Sequence, residues 1–292
     1  MPAVKSGYPL APLVSWRVGG MADYYAEPSS ADELFALIQQ AKLTGLPWFL
    51  LGKGSNLLVA DEGFRGIVIR MVDSYSGIKI AENQIIAQAG ATNAAVVKAG
   101  MEVGLGGIEF LASIPGSVGG AVFMNAGAHG EQLADVLLAA RILETDGTVH
   151  WRNPVELAMQ YRHSLLQESK GIVLEAAFQV SNKPTAEIRQ EILANGAWRR
   201  QHQPPGPSAG STFRNPPGDS AGRLIESSGL KGFRIGGAMV SPVHANFIIN
   251  SGNATASEIN ALICEIRHRV WALHGIWLQP EVRGLGIVVG EV

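Results

Sequence analysis

Two glycine-rich loops constrain the fold more than any other feature of this sequence. The first, Gly52-Lys53-Gly54-Ser55-Asn56, is set between the apolar runs Trp48-Phe49-Leu50-Leu51 and Leu57-Leu58-Val59, which reads as strand, glycine turn, strand. Successive N–H groups in such a turn form a concave nest for an anion, and a serine hydroxyl and an asparagine amide add donors. The same pattern also suits an ordinary hairpin turn. The second loop runs through Ile114-Pro115-Gly116-Ser117-Val118-Gly119-Gly120-Ala121 and on to Asn125-Ala126-Gly127-Ala128. Its glycines and alanines let the backbone approach a flat or phosphorylated group closely. Together the loops fit the two ends of a dinucleotide. Neither Gly52-x-Gly54 nor Gly104-x-Gly106-Gly107 completes G-x-G-x-x-G, so a Rossmann site is disfavoured and a dinucleotide requires another fold.

Composition narrows the function by exclusion. The chain has 292 residues, and at roughly 100–200 residues per domain two or three units are expected. Hydrophobic residues at 47% and charged residues at 16% favour a packed core over disorder. The net charge is −2 and lysines and arginines are scattered, so nothing points to nucleic acid. No segment approaches the ~18 uninterrupted apolar residues of a membrane span, and the start lacks the apolar stretch of a signal peptide. The expectation is a cytoplasmic protein with no membrane association and no obligate protein partner. The lone Cys264 permits neither a disulfide framework nor a thiolate cluster, and the histidines are dispersed, so no metal is expected. Walker and H-E-x-x-H motifs are missing from the sequence.

Capping residues and hydrophobic periodicity mark the elements. Residues 13–28 read as strand and turn. Ser30 and Glu33 form a capping box for a helix with Leu34, Leu37, Ile38 and Ala41 on one face, stopped by Gly45. Residues 64–90 read as short strands, and Thr92 caps a helix to about Val103. Strand and helix segments are expected in residues 136–158, ahead of Gln160-Tyr161-Arg162-His163-Ser164. Beyond a boundary at Ser181-Asn182-Lys183-Pro184, a helix from Thr185 to about His202 turns Ile188, Ile192 and Leu193 inward. It ends in Arg199-Arg200, cations suited to its C-terminal dipole or, with His202, to a nucleotide. Residues 220–228 form a short helix, and Gly236-Gly237 opens a run of strands through residues 244–249. Thr255 and Glu258 box the start of a helix with Ile259, Leu262, Ile263, Ile266, Val270 and Trp271 on one face and Cys264 toward the core. The segment Pro280-Glu281-Val282-Arg283 is strand-like, with its carboxylate and guanidinium on one side.

The stretch Pro207-Ser208-Ala209-Gly210-Ser211-Thr212-Phe213-Arg214-Asn215-Pro216-Pro217 concentrates polar chemistry. Gly210 lets the backbone pass close to a ligand, the prolines stiffen the exit, and Arg214 and Asn215 stand beside the Ser211 hydroxyl. That suits a positioned proton donor; an ordinary surface turn has the same composition.

Read in order, residues 51–56, 114–120, 125–128, Tyr161-Arg162, 210–216 and 280–283 closely resemble the UDP-N-acetylenolpyruvoylglucosamine reductases. Ser15-Trp16-Arg17-Val18-Gly19-Gly20 and residues 232–250 resemble further segments of that family. The resemblance implies an α+β fold. A two-part FAD-binding region of the vanillyl-alcohol-oxidase (PCMH) type is expected over residues 15–181, with subdomains of about 15–78 and 79–181. A C-terminal α+β substrate-binding domain is expected over 184–292. FAD contacts are expected from Gly52, Lys53, Gly54, Ser55, Asn56, Leu57, Pro115, Gly116, Ser117, Gly119, Gly120, Asn125, Ala126 and Gly127, with the pyrophosphate against the N–H groups of 52–56 and 116–120.

The activity implied is NADPH-dependent reduction of UDP-N-acetylglucosamine enolpyruvate to UDP-N-acetylmuramate, a peptidoglycan precursor. Arg162 would hold the charge that develops beside the substrate carboxylate. Glu281 would stay protonated and donate to the same oxygens, or orient Arg162, and Ser211 would deliver the proton. Tyr161, Asn215, Lys231 and Arg283 are expected near the nucleotide sugar, with Lys231 on the diphosphate. Longer family members place a tyrosine over the diphosphate; no tyrosine follows Tyr161 here, which resembles the shorter subtype. A flavin oxidase, with His129 as its tethering candidate, needs neither Ser211 nor the Arg162 and Glu281 pair. A non-catalytic FAD-binding protein would not be expected to keep all three.

Overall fold

The computed structural model describes residues 2–291, and the chain forms two units, each gathered from separate segments. The first takes the chain up to Val4, then Ala26–Lys53 and Ile69–Arg199; the second takes Lys5–Tyr25, Gly54–Val68 and the chain from Arg200 onward.

A five-stranded antiparallel sheet organises the first unit, in the order Val149–Arg152, Leu137–Leu143, Ile172–Gln179, Gln84–Gln88, Ile78–Ala81. The two-residue side-chain period of its strands buries Ile85 and Ala87, and Leu174, Ala176 and Phe178. Helix α1 (Ala31–Leu43) buries the four expected residues, and its N-cap Ser30 accepts from the Glu33 N–H. The Glu33 carboxylate, however, accepts from the N–H and hydroxyl of Ser29, one residue earlier than a capping box requires. Helix α2 (Asn93–Glu102) is capped by Thr92 as expected, and α3 (Val118–Met124) lies against the central strand Ile172–Gln179.

Two expectations fail in this unit for identifiable reasons. Residues 136–158 hold a hairpin rather than a strand and a helix. Asp146 accepts from the Thr148 N–H and hydroxyl, and Gly147 at φ +92° closes the turn between Leu137–Leu143 and Val149–Arg152. A one-turn helix, α4 (Leu166–Ser169), follows Arg162 instead. In α5 (Thr185–His202), Ile188 is buried, but Ile192 is only half-buried and Leu193 is 62% exposed. At 100° per residue Leu193 lies a quarter-turn beyond the line through Ile188 and Ile192. The Arg199 guanidinium donates to the carbonyl of Ser113.

The second unit is built around Trp16, Leu58, Phe213, Leu224, Ile248, Leu278 and Val282, packed with the buried face of α7 (Ala256–His274). A shorter helix, α6 (Ala221–Ser227), starts at N-cap Ser220. Gly236-Gly237 forms the turn between strands Arg234–Ile235 and Ala238–Val240, and residues 241–247 loop before Ile248–Asn250 pairs with the latter. Leu57–Val59 pairs in parallel with Arg283–Leu285, so residues 52–56 are not the turn of a hairpin. Trp271 does not share the buried face of α7: it is 53% exposed and meets Trp277 edge-on. Its neighbour Val270 is fully buried.

The start of α7 fastens the inserted segment Gly54–Val68 to the rest of its unit. Beyond the Thr255–Glu258 capping box, Asp61 accepts from the N–H groups of Ala256 and Ser257 and from the Ser257 hydroxyl. Burial works against the Asp61 carboxylate, but those bonds outweigh it and hold its pKa below the ordinary value. A lowered carboxylate pKa contributes stability that is present above the unfolded value and lost as pH falls through the folded one. Asp61→Asn is therefore expected to lower thermal stability at pH 7 by about 1 kcal/mol, as loss of a helix cap does. The gap between variant and parent, followed by thermal melts from pH 7 to 3, should close on acidification; a gap independent of pH would remove the carboxylate from this role.

Candidate active site

In the first unit the two glycine loops meet. A side-chain carbon on Gly52 would stand 2.5 Å from the Ser117 hydroxyl, so any larger residue there must displace that hydroxyl; the constraint is contact, not backbone angle. Ser117 is buried, and its backbone bridges to Thr92. The Asn93 amide donates to the Ile114 carbonyl, which pins the second loop to the first turn of α2. Within that loop the N–H groups of Val118 and Gly119 donate to Ala91 and Ala89, whereas those of Gly116, Ser117 and Gly120 meet no acceptor among the described residues. The same holds for the first loop: neither Gly52 and Lys53 in the first unit, nor Gly54, Ser55 and Asn56 in the second, give their N–H to a described acceptor. Pro115 and Lys53 are exposed, and Leu57 is a buried core residue.

The second loop also holds Arg162. Gln160 and His163 exchange backbone hydrogen bonds around a two-residue turn, with Arg162 at φ +54° in the position that glycine usually takes. Asn125, fully buried and itself left-handed at the end of α3, donates to the Gln160 carbonyl and to Gln132, and accepts from the Ala134 N–H. Its side chain is thus committed within the protein. The Ser164 hydroxyl and the Gln167 amide reach the Phe123 carbonyl, and Gln167 also donates to the Arg162 carbonyl. The Arg162 guanidinium donates to the Gly127 carbonyl at 2.9 Å and lies over the half-exposed Tyr161 ring at 5.2 Å. Ala126 is half-buried between Asn125 and Gly127.

In the second unit, residues 211–214 run as an extended ribbon between two others. Ser211 bridges to Phe247 and Phe213 to Pro280, both antiparallel. Thr212 donates its N–H to the Asn246 carbonyl and accepts from the N–H of Glu281, and Arg214 donates to the Gln279 carbonyl. Ser211 and Glu281 thereby come from neighbouring ribbons. Thr212 and Phe213 are buried while Ser211 is half-exposed. Gly210, at φ +79° with open space around it, is needed for its backbone angle. Asn56 donates from its amide to the Glu281 carbonyl and accepts at its own carbonyl from the Arg283 N–H. Glu281 and Arg283 flank the buried Val282, as the strand-like spacing implied. Partial burial, and then the nearby Arg214 guanidinium, lower the pKa of Arg283. Two neighbouring cations of this kind favour an anion between or beside them.

The remaining expected residues are more committed. Asn215 is exposed and accepts from the Ala221 N–H at the start of α6. Lys231 pairs with Glu226 at 2.7 Å on the surface. Cys264 is a free, buried thiol whose pKa is raised by burial. Sequence reasoning missed Asn246, Ser164 and Gln167, which support the site without facing it.

Comparison with known proteins decides the family. Residues 201–285 match the family model described as UDP-N-acetylenolpyruvoylglucosamine reductase, C-terminal domain, and residues 22–153 match an FAD binding domain. The UDP-N-acetylenolpyruvoylglucosamine reductase of Rubrobacter xylanophilus is 44% identical over 291 residues, covering 99% of this chain and 96% of that one. The chain belongs to the UDP-N-acetylenolpyruvoylglucosamine reductase family. Its relative in Bacillus subtilis is 39% identical over 285 residues, covering 97% and 94% of the two chains. The crystal structure of the reductase from Thermus caldophilus superimposes with a TM-score of 0.83 at 36% identity, covering 97% of this chain and 99% of that one. The fold class expected from the sequence therefore holds: an FAD-binding region is followed by the C-terminal domain of the reductase family, in a mixed α+β chain. Among the described residues no helix is long and apolar enough to cross a membrane, and no group of His, Cys, Asp or Glu could hold a metal ion.

The contact between the loops yields a test. Gly52→Ala is expected to destabilise the protein by about 1–3 kcal/mol through overpacking. Adding Ser117→Ala removes the hydroxyl that the new methyl strikes and leaves its nearest Ser117 neighbour, Cβ, 3.7 Å away. The double variant should recover most of the lost melting temperature; equal or additive losses would mean that the loops do not touch in this way.

Proposed function

We propose that this chain is an FAD-dependent reductase that uses NADPH to convert UDP-N-acetylglucosamine enolpyruvate to UDP-N-acetylmuramate for peptidoglycan synthesis. The observation that carries this reading is the set of backbone N–H groups at Gly52, Lys53, Gly116, Ser117 and Gly120 of the first unit without a described acceptor, in a chain whose residues 22–153 match an FAD binding domain. Buried or half-buried N–H groups normally find partners. A set of them left open fits the negatively charged pyrophosphate of a dinucleotide. We assign FAD to residues 15–181 and the substrate to 184–292, ranges that enclose the two family matches. Gly52, Gly54, Ser55, Gly116, Ser117 and Gly120 hold the cofactor through their backbone. The side chains of Asn56 and Asn125 shape its loops rather than touch it.

Bound FAD, once reduced by NADPH, supplies the hydride for the enolpyruvyl double bond. Hydride addition at the terminal carbon leaves negative charge on the carbon beside the carboxylate, delocalised into that carboxylate. Arg162, always protonated and fixed by the Gly127 carbonyl, stabilises that charge. Glu281 donates to the same oxygens as a carboxylic acid or orients Arg162, and Ser211 delivers the proton that completes the reduction. Arg283, with Arg214 beside it, and Tyr161, Asn215 and Lys231 contact the nucleotide sugar. The reading carries with it the cytoplasmic location expected from the sequence.

An anaerobic spectrum of the purified protein tests the reading directly. NADPH should bleach the flavin bands, and UDP-N-acetylglucosamine enolpyruvate should restore them without oxygen. Recovery only on admitting air would support an oxidase, and a protein that takes up no FAD would end the reading. Arg162→Ala is expected to slow reoxidation by substrate on the order of 100- to 1000-fold. Ser211→Ala should leave reduction by NADPH nearly intact while almost abolishing that reoxidation; equal loss of both half-reactions would remove Ser211 as proton donor.

A further inference from the structure

The hydroxyl of Ser211 is delivered by a ribbon with no regular secondary structure, so something else must fix its height and direction. The structure assigns that task to Asn246. The Phe213 N–H donates to Asn246 Oδ1 at 2.9 Å, and Asn246 Nδ2 donates to the Phe213 carbonyl at 2.8 Å. The Asn246 backbone carbonyl takes the Thr212 N–H at 2.8 Å. One asparagine thus satisfies three backbone groups of the two residues immediately beyond Ser211, and the adjacent Phe247 forms the bridge to Ser211 itself. Asn246 is only 3% exposed and its carboxamide is spent on Phe213, so it has no reach toward a substrate.

The asparagine is braced in turn. Its N–H donates to His244 Nδ1 at 3.2 Å, and the His244 ring packs on Phe247 at 4.9 Å. Nδ1 can accept only while the ring is neutral, and burial lowers the His244 pKa and keeps it so. A carboxamide that mimics a backbone pair in this way acts as a clamp on the ribbon. We propose that Asn246 is a positioning residue, acting on proton delivery through Ser211 and not through substrate or cofactor binding.

This rests on Ser211 being the proton donor, and the experiment keeps the two apart. Rates of flavin reduction by NADPH and of reoxidation by UDP-N-acetylglucosamine enolpyruvate are measured anaerobically by stopped flow on the FAD-loaded protein. The variants are Asn246→Asp, in which the donor to Phe213 becomes an acceptor, and Asn246→Ala, in which the clamp is removed without repulsion. Each is made in the parent and in Ser211→Ala. In the parent, reoxidation is expected to fall about 10- to 100-fold, the usual cost of disturbing a residue that orients a catalytic one, with flavin reduction and substrate dissociation constant nearly unchanged. In the Ser211→Ala background the same change should cost no more than about twofold further, because both substitutions remove one effect. An equal factor in both backgrounds, or parallel loss of both half-reactions, would overturn the positioning role. Parent protein whose reduced flavin is not reoxidised by the enolpyruvyl substrate would instead overturn the reductase reading.

Discussion

Backbone that leaves helix and sheet must still bury its N–H and C=O groups paired, and in this protein asparagine carboxamides supply much of that pairing. Asn246 bonds both backbone groups of Phe213, Asn56 donates to Glu281, and Asn125 holds the turn of Arg162. Asn250 donates to the Trp16 carbonyl and accepts from Gly252 and Ala254, and Asn260 takes both ends of the Gly290 and Glu291 corner. A carboxamide offers one donor face and one acceptor face in a plane, as a peptide unit does, on a stem too short to wander. The functional segments are irregular because they must present side chains at set heights. They remain rigid because their backbone is stitched in this way.

What the sequence disclosed of the fold followed from periodicity and caps. Ser30, Thr92 and Thr255 cap the helices they were read as capping, and the buried faces of α1 and α7 agree residue by residue except at Trp271. Leu193 lies a 100° step beyond Ile192, and hydropathy alone does not record that step. Residues 136–158 lack a regular period, and there the Asp146-Gly147 turn carried the information instead. Long-range pairing was not legible at all. Nothing local in Leu57-Leu58-Val59 says that its partner lies at residues 283–285.

The site was legible as a set of residue types and illegible as a mechanism of support. Glycine at 52 and at 210 looks alike in the sequence, yet Gly52 is needed for clearance from Ser117 and Gly210 for its φ. Asn56 reads as a donor to an anion, but its amide points at the Glu281 carbonyl, and its contribution to the loop is its own free N–H. Asn246 reads as one residue of a strand. Its importance arises from a partner at residue 213, a separation that no pattern of short period can encode.

The backbone of Arg162 shows what this stitching is for. A non-glycine residue at φ +54° costs about 1–2 kcal/mol relative to its relaxed conformation. The turn is held by the Asn125 amide on the Gln160 carbonyl and the Gln167 amide on the Arg162 carbonyl, while Ser164, the residue after it, is tied to the Phe123 carbonyl. Relaxing Arg162 to negative φ would swing the guanidinium away from the Gly127 carbonyl and let water reorganise around it. In the proposed reaction, a charge that meets a developing anion is effective in proportion to how little it must move when that anion forms. The strain at Arg162 and the committed side chain of Asn125 are therefore two parts of one arrangement, in which local instability is accepted so that a cation has a single place to be.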